Sequence, residues 1–189
     1  MARDKRLLVF LAVVIIVSML ASACGPRGEK LATEINLNLG TEPPSADPGL
    51  AEDNVSIQVA ELLFLGLTDF DDETMEVIPE LATEWKASED GRVWTFTMRK
   101  DVNWVHYDPE SGKFTKERPV NAHDVEYGVK RTLEPATASP YAYVLYVLKN
   151  GEAFNVQEIT DPAEVGVKAL DDYTVQFTLE QPAGYFPAI

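Results

Sequence analysis

Between residues 84 and 99 the chain alternates apolar and polar residues on either side of Glu89-Asp90-Gly91, and no other feature restricts the fold as tightly. An Asp-Gly pair supplies the positive φ that a tight turn needs, because glycine has no Cβ to clash there. The stretch therefore predicts a β-hairpin, Glu84–Ser88 against Arg92–Arg99, with Trp94, Phe96 and Met98 on one face. A second unit of the same kind follows at Val167–Leu170 and Tyr173–Leu179 around Asp171-Asp172, with Tyr173, Val175, Phe177 and Leu179 on one face.

Helical signals separate the hairpins. Val55, Val59, Leu62 and Leu63 recur at helical spacing after Asp53 and Asn54, either of which can cap, and Gly66 follows; this predicts a helix over about 53–64. Asn121 can cap a helix carrying the stripe Val125, Val129 and Leu133, with Asp124 placed to reach back and Glu134-Pro135 to end it. Ser139-Pro140 predicts a further helix start, followed by Val144, Leu145 and Leu148 up to Gly151. At the beginning, Glu34–Leu39 alternates and predicts a strand burying Ile35, Leu37 and Leu39, which Gly40-Thr41-Glu42-Pro43-Pro44 ends. The last residues, Gly184-Tyr185-Phe186-Pro187-Ala188-Ile189, are apolar with no polar tail and predict a chain that continues past residue 189.

The N-terminus has a different purpose. Arg3, Lys5 and Arg6 precede an apolar run from Leu7 to Val17, the pattern of a secretory signal. Leu7–Leu20 is shorter than the about 20 residues that span a bilayer, so export is favoured over a permanent transmembrane anchor. Leu20-Ala21-Ser22-Ala23-Cys24 resembles the lipobox of bacterial lipoproteins, with Ala21 where leucine is usual; an ordinary signal cut nearby is the alternative. Acyl chains on Cys24, at about 0.8 kcal/mol per buried methylene, would hold the chain at a membrane. Residues 1–23 then form the signal peptide and 24–33 a tether. Removal of residues 1–23 takes away three basic residues and one acidic residue, leaving 166 residues with a net charge of −17.

That charge, −15 before processing, would repel phosphates and excludes a nucleic-acid binder working through a basic surface. One cysteine excludes an internal disulfide. His106 and His123 are the only imidazoles and lack the spacing of a zinc site, so neither a metal nor a cofactor is expected. Asp69, Asp71, Asp72, Glu73 and Glu76 crowd one loop, where a calcium site or an acid/base pair could be drawn, although such runs usually mark a solvated turn. Trp85, Trp94 and Trp104 could stack on a ligand; their strand spacing beside apolar neighbours favours the core. The chain contains no nucleophile elbow, Walker loop or dinucleotide fingerprint, so nothing points to an enzyme.

Several segments in order carry a resemblance: Pro79–Trp85, Glu89–Lys100, Pro119–Val125, Thr137–Ala142 and Val167–Asp172. Together they resemble the extracytoplasmic solute-binding proteins of the peptide/nickel ABC importer family (family 5), most of all the oligopeptide-binding members. The segment Trp104–Lys113, longer than the turn usual there, and His123 depart from that pattern. The resemblance implies an α/β fold like that of type II periplasmic binding proteins, of which residues 34–189 supply the first lobe. Within it, residues 34–47 and 166–189 would form a mixed-sheet subdomain and residues 48–165 an inserted α+β subdomain. The implied function is capture of oligopeptides at the outer face of the cytoplasmic membrane and delivery to ABC permease subunits. Dipeptides, nickel chelates or oligosaccharides, or a sensor lipoprotein that transports nothing, are alternatives. Tyr141 matches a position lining the peptide cleft, and Gly40, Thr41 and Glu42 match a segment offering backbone hydrogen bonds to an extended ligand. As plain structure, Tyr141 would be a core aromatic and 40–42 a loop.

Overall fold

In chain order the computed structural model, which describes residues 36–189, contains helix α1 (Asn54–Leu63), strands β1 (Thr68–Phe70), β2 (Val77–Pro79), β3 (Ala82–Ala87), β4 (Val93–Met98), β5 (Asn103–Asp108) and β6 (Lys113–Pro119), helices α2 (Ala122–Leu133) and α3 (Gly151–Asn155), and strands β7 (Val167–Asp171) and β8 (Thr174–Thr178). The expected hairpins are β3–β4 and β7–β8. They join through β4 and β8 into one antiparallel sheet of order β3-β4-β8-β7. Strands from residues 48–165 and from residues 166–189 thus share one sheet and one core. Every strand pairing among the described residues is antiparallel.

The alternation explains the pairing. Trp94, Phe96 and Met98 on β4 and Val175 and Phe177 on β8 all point to the same side and are buried. Phe96, 2% exposed, stacks on Trp85 at 6.0 Å and meets Phe177 edge-on at 5.6 Å. At the turn, Gly91 has φ +68°, while Asp90 accepts from the Arg92 N–H and from the Ser88 hydroxyl.

Helix α2 covers the sheet and is built from local signals. Asn121 accepts from the N–H groups of His123 and Asp124, and the Asp124 carboxylate accepts from the Asn121 N–H, a complete capping box. The Ala122 N–H donates to the Asp172 carbonyl at 2.8 Å, and the Ala169 N–H donates to Glu126 at 2.8 Å, which fastens the helix along β7. In α1, Asp53 caps by accepting from Val55 and Ser56 N–H.

Three expectations change. Asn36–Leu39 is not a strand, and Leu37 is exposed: alternation makes a segment able to pair but does not by itself supply a partner strand. Glu34 and Ile35 lie outside the described residues, as do the signal segment, Cys24 and the tether. After Ser139-Pro140 the chain forms a six-residue 3-10 helix, Ala142–Val147, rather than an α-helix, and no side chain caps it. The apolar end is also not without contacts: Phe186 is buried against Phe177, Phe96 and Trp94 at 5.1, 6.2 and 6.2 Å.

Candidate functional site

The residues singled out from the sequence stand on two supports that both begin at α2. The first is an ion pair no local pattern signals. Arg131, in the last turn of α2, donates from Nη1 to Asp47 Oδ1 at 2.9 Å and from Nη2 to Asp47 Oδ2 at 2.5 Å. This two-pronged geometry orients as well as attracts, and the guanidinium holds the Asp47 carboxyl below the usual carboxylate range. Asp47 Oδ1 also accepts from the Gly49 N–H, and the Ser45 N–H donates to the Oγ of Ser56, a fully buried residue of α1. The chain just after Gly40-Thr41-Glu42 is thereby clamped to both helices. Gly40 itself has φ +76°, a left-handed conformation that favours glycine, and Thr41 and Glu42 are exposed.

The second support leaves the same, C-terminal, end of α2. A 3-10 turn, Pro135–Thr137, and Ala138 in the left-handed region lead to Tyr141, which heads the 3-10 helix Ala142–Val147. Tyr141 is 42% exposed, so within the described residues it is a surface aromatic and not a core one. The arrangement can present the backbone of residues 40–42, anchored just downstream, and an aromatic face to a ligand. Two pockets occur elsewhere: one of about 320 Å³ between α2 and the sheet, lined by Leu67, Phe96, Val129, Phe177 and Phe186, and one of about 390 Å³ beside Glu134, Phe154 and Ile159. Neither pocket is lined by Tyr141 or residues 40–42, and neither lining includes His, Lys or Cys.

A third cluster ties the long hairpin β5–β6 to the fold. Asp124 accepts from Trp104 Nε1 at 3.1 Å and from Arg118 Nη1 and Nη2 at 2.8 and 2.6 Å, besides its capping bond. Arg118 also lies over the Trp104 ring, and Phe64 meets that ring edge-on. Of the three tryptophans, Trp94 is core, Trp85 is partly buried on Phe96, and Trp104 is this hydrogen-bonded rim. The Arg118 guanidinium holds the Asp124 carboxyl at about 2 against an ordinary 3.8; partial burial opposes it, and the Asn121 and Trp104 donors assist. A lowered carboxyl contributes stability that is complete above its unfolded value and is lost as pH falls through the folded one. We therefore expect the acid limb of unfolding, followed by tryptophan fluorescence, to lose about 1–2 kcal/mol between about pH 4 and pH 2, a figure discounted because Arg118 is half-exposed. In Asp124→Asn that part of the pH dependence should vanish; an unchanged acid limb would show that the cluster contributes nothing.

His106 lies exposed on β5, and His123 is exposed in the first turn of α2, 3.7 Å from Asp172. Asp71 in the acidic loop accepts from the N–H groups of Glu73 and Thr74 and from the Thr74 hydroxyl, tying off a solvated turn. Among the described residues no group of three or more His, Cys, Asp or Glu is placed to hold a metal ion.

Residues 76–189 match the family described as bacterial extracellular solute-binding proteins, family 5 Middle. The chain belongs to this family. It is 37% identical over 185 residues to the oligopeptide-binding protein OppA of Bacillus subtilis (strain 168), covering 92% of this chain and 31% of that protein. To the periplasmic oligopeptide-binding protein OppA of Haemophilus influenzae it is 36% identical over 189 residues, covering 94% and 32%. The structure of Listeria monocytogenes OppA bound to peptide superposes with a TM-score of 0.66 at 34% identity, over 77% of this chain and 26% of that one. The fold is thus the α/β architecture of the type II periplasmic binding proteins, and the chain spans about a third of the length of these relatives. The family and the relatives named here are binding proteins.

Proposed function

We propose that this chain contributes one lobe of a lipid-anchored binding protein that captures oligopeptides outside the membrane and delivers them to the permease of an ABC importer. The observation that carries the reading is the match of residues 76–189 to family 5, together with superposition on a peptide-bound relative. Residues 40–42 would lend main-chain hydrogen bonds to an extended peptide, a mode that tolerates varied side chains. Tyr141 would pack against that peptide. The protein does no covalent chemistry; ATPases on other chains power transport. Cys24 carries the anchor, which places the protein at the outer face of the cytoplasmic membrane.

The test uses the full-length protein, stripped of endogenous ligand by unfolding and refolding, and offered a mixed peptide pool, dipeptides, a nickel chelate and oligosaccharides. Retention and unchanged release of peptides, identified by mass spectrometry, is the expected result. Retention of a sugar or the chelate alone would sink the peptide reading. Cys24→Ser should move the protein from the membrane fraction to the soluble one, and a variant still sedimenting with membranes would refute the anchor.

A further inference from the structure

Beside Tyr141 the structure exposes a second aromatic with the same outlook. A 3-10 helix has three residues per turn, so positions i, i+3 and i+6 lie on one side. In Ala142–Val147 and the residue after it, that side is Ala142, Leu145 and Leu148, and it is the inward one: Ala142 is 4% and Leu148 0% exposed, and Leu145 packs against the core. The outward sides carry Tyr141, Tyr143 and Val144, which are 42%, 59% and 39% exposed. The rings of Tyr141 and Tyr143 lie 5.9 Å apart, tilted by 40°. Neither phenol has a hydrogen-bond partner among the described residues, whereas the Tyr146 hydroxyl donates to Asn155 Oδ1 at 2.6 Å.

This short strip is held firmly from behind. Asn155 Nδ2 donates in turn to the Leu133 carbonyl at the end of α2, Leu148 bridges to Leu179, and the Glu180 N–H donates to the Val147 carbonyl. The rings therefore sit on a fixed base and lose little freedom when covered. Their chemistry is also one-sided. Residues 135–148 contain no charged side chain, although the chain as a whole carries 47. A charged group brought onto the strip would be desolvated without a counterion, which is unfavourable. An apolar or aromatic group would instead gain contact area and ring-edge geometry.

We infer that Tyr143, with Tyr141 and Val144, forms a specificity-determining platform that takes an apolar or aromatic side chain of the bound peptide. The inference rests on the peptide-binding reading above. It adds what that reading lacks, a residue that chooses among peptides rather than gripping their common backbone. Main-chain hydrogen bonds bind all sequences alike, so selection must come from side-chain contacts such as this one.

The test measures affinities of the stripped full-length protein for pentapeptides in which each position in turn is Phe, Ala or Asp. The wild type should prefer Phe at one position. Tyr143→Ala should cut that preference about three- to tenfold, and Tyr143→Phe should keep it. Two results would overturn the platform and leave peptide binding standing: a wild type with no apolar preference, or a preference unchanged in Tyr143→Ala, which together with a lower melting temperature of the ligand-free variant would mean that the rest of the protein covers the strip. A wild type that binds no peptide at all would overturn both readings.

Discussion

Phe96→Ala in the intact protein should lower unfolding stability by about 3–5 kcal/mol, the range for removing a fully packed aromatic ring. Phe96 sits at the middle of β4, between β3 and β8, and is 2% exposed. Its ring touches Trp85 from β3, Phe177 from β8 and Phe186 from the segment after the sheet, so one truncation opens a void shared by four segments. The surrounding backbone is tied into the sheet on both sides and cannot collapse into that void. The measurement is the urea midpoint at constant slope. A loss under about 1 kcal/mol would show that the ring is not a packed centre. Phe96→Leu, which keeps most of the volume, should cost about half as much or less.

Gly166→Ala should be nearly as damaging, at about 3 kcal/mol, although it adds a single methyl group. The reason is a close approach of three backbone segments. The Gly166 N–H donates to the Lys149 carbonyl, the Thr178 N–H donates to the Gly166 carbonyl, and the Lys149 N–H donates to the Thr178 carbonyl, all at 2.8–2.9 Å. A Cβ at Gly166 would stand 2.2 Å from the Thr178 carbonyl oxygen and 3.0 Å from the Lys149 N. Backbone cannot step aside there without breaking the start of β7. Hydrogen exchange should show faster opening at Lys149, Gly166 and Thr178 in the variant, and native-like protection at all three would rule the clash out. Gly184, where a Cβ meets nothing within 4 Å, provides the control: Gly184→Ala should leave stability within about 0.5 kcal/mol.

How much of this was legible in advance follows the range of each interaction. The capping box at Asn121 and Asp124 spans four residues, and the Asp90-Gly91 turn two, so both could be read directly. The half-buried clamp between Asp47 and Arg131 joins positions 84 apart, and neither residue carries a pattern of its own. Tyr143 escapes the sequence pattern for a related reason: Ser139-Pro140 predicts an α-helix, while the chain adopts three residues per turn, which changes the set of residues facing out. The segment Asn36–Leu39 misled in the opposite sense, because alternation is a property of one segment while a strand belongs to at least two.

From the order of its residues alone, the chain had settled its two hairpins, the two capped helices, the family to which it belongs and its net negative charge. Those properties depend on neighbours a few positions apart or on simple charge. Folding in three dimensions decided that β4 and β8 lie side by side, that Phe186 completes the core, that Arg131 fixes the loop beyond Gly40, and that two tyrosines face outward together. These depend on contacts across tens of residues, whose partners are chosen by packing and hydrogen-bond satisfaction once the local pieces meet.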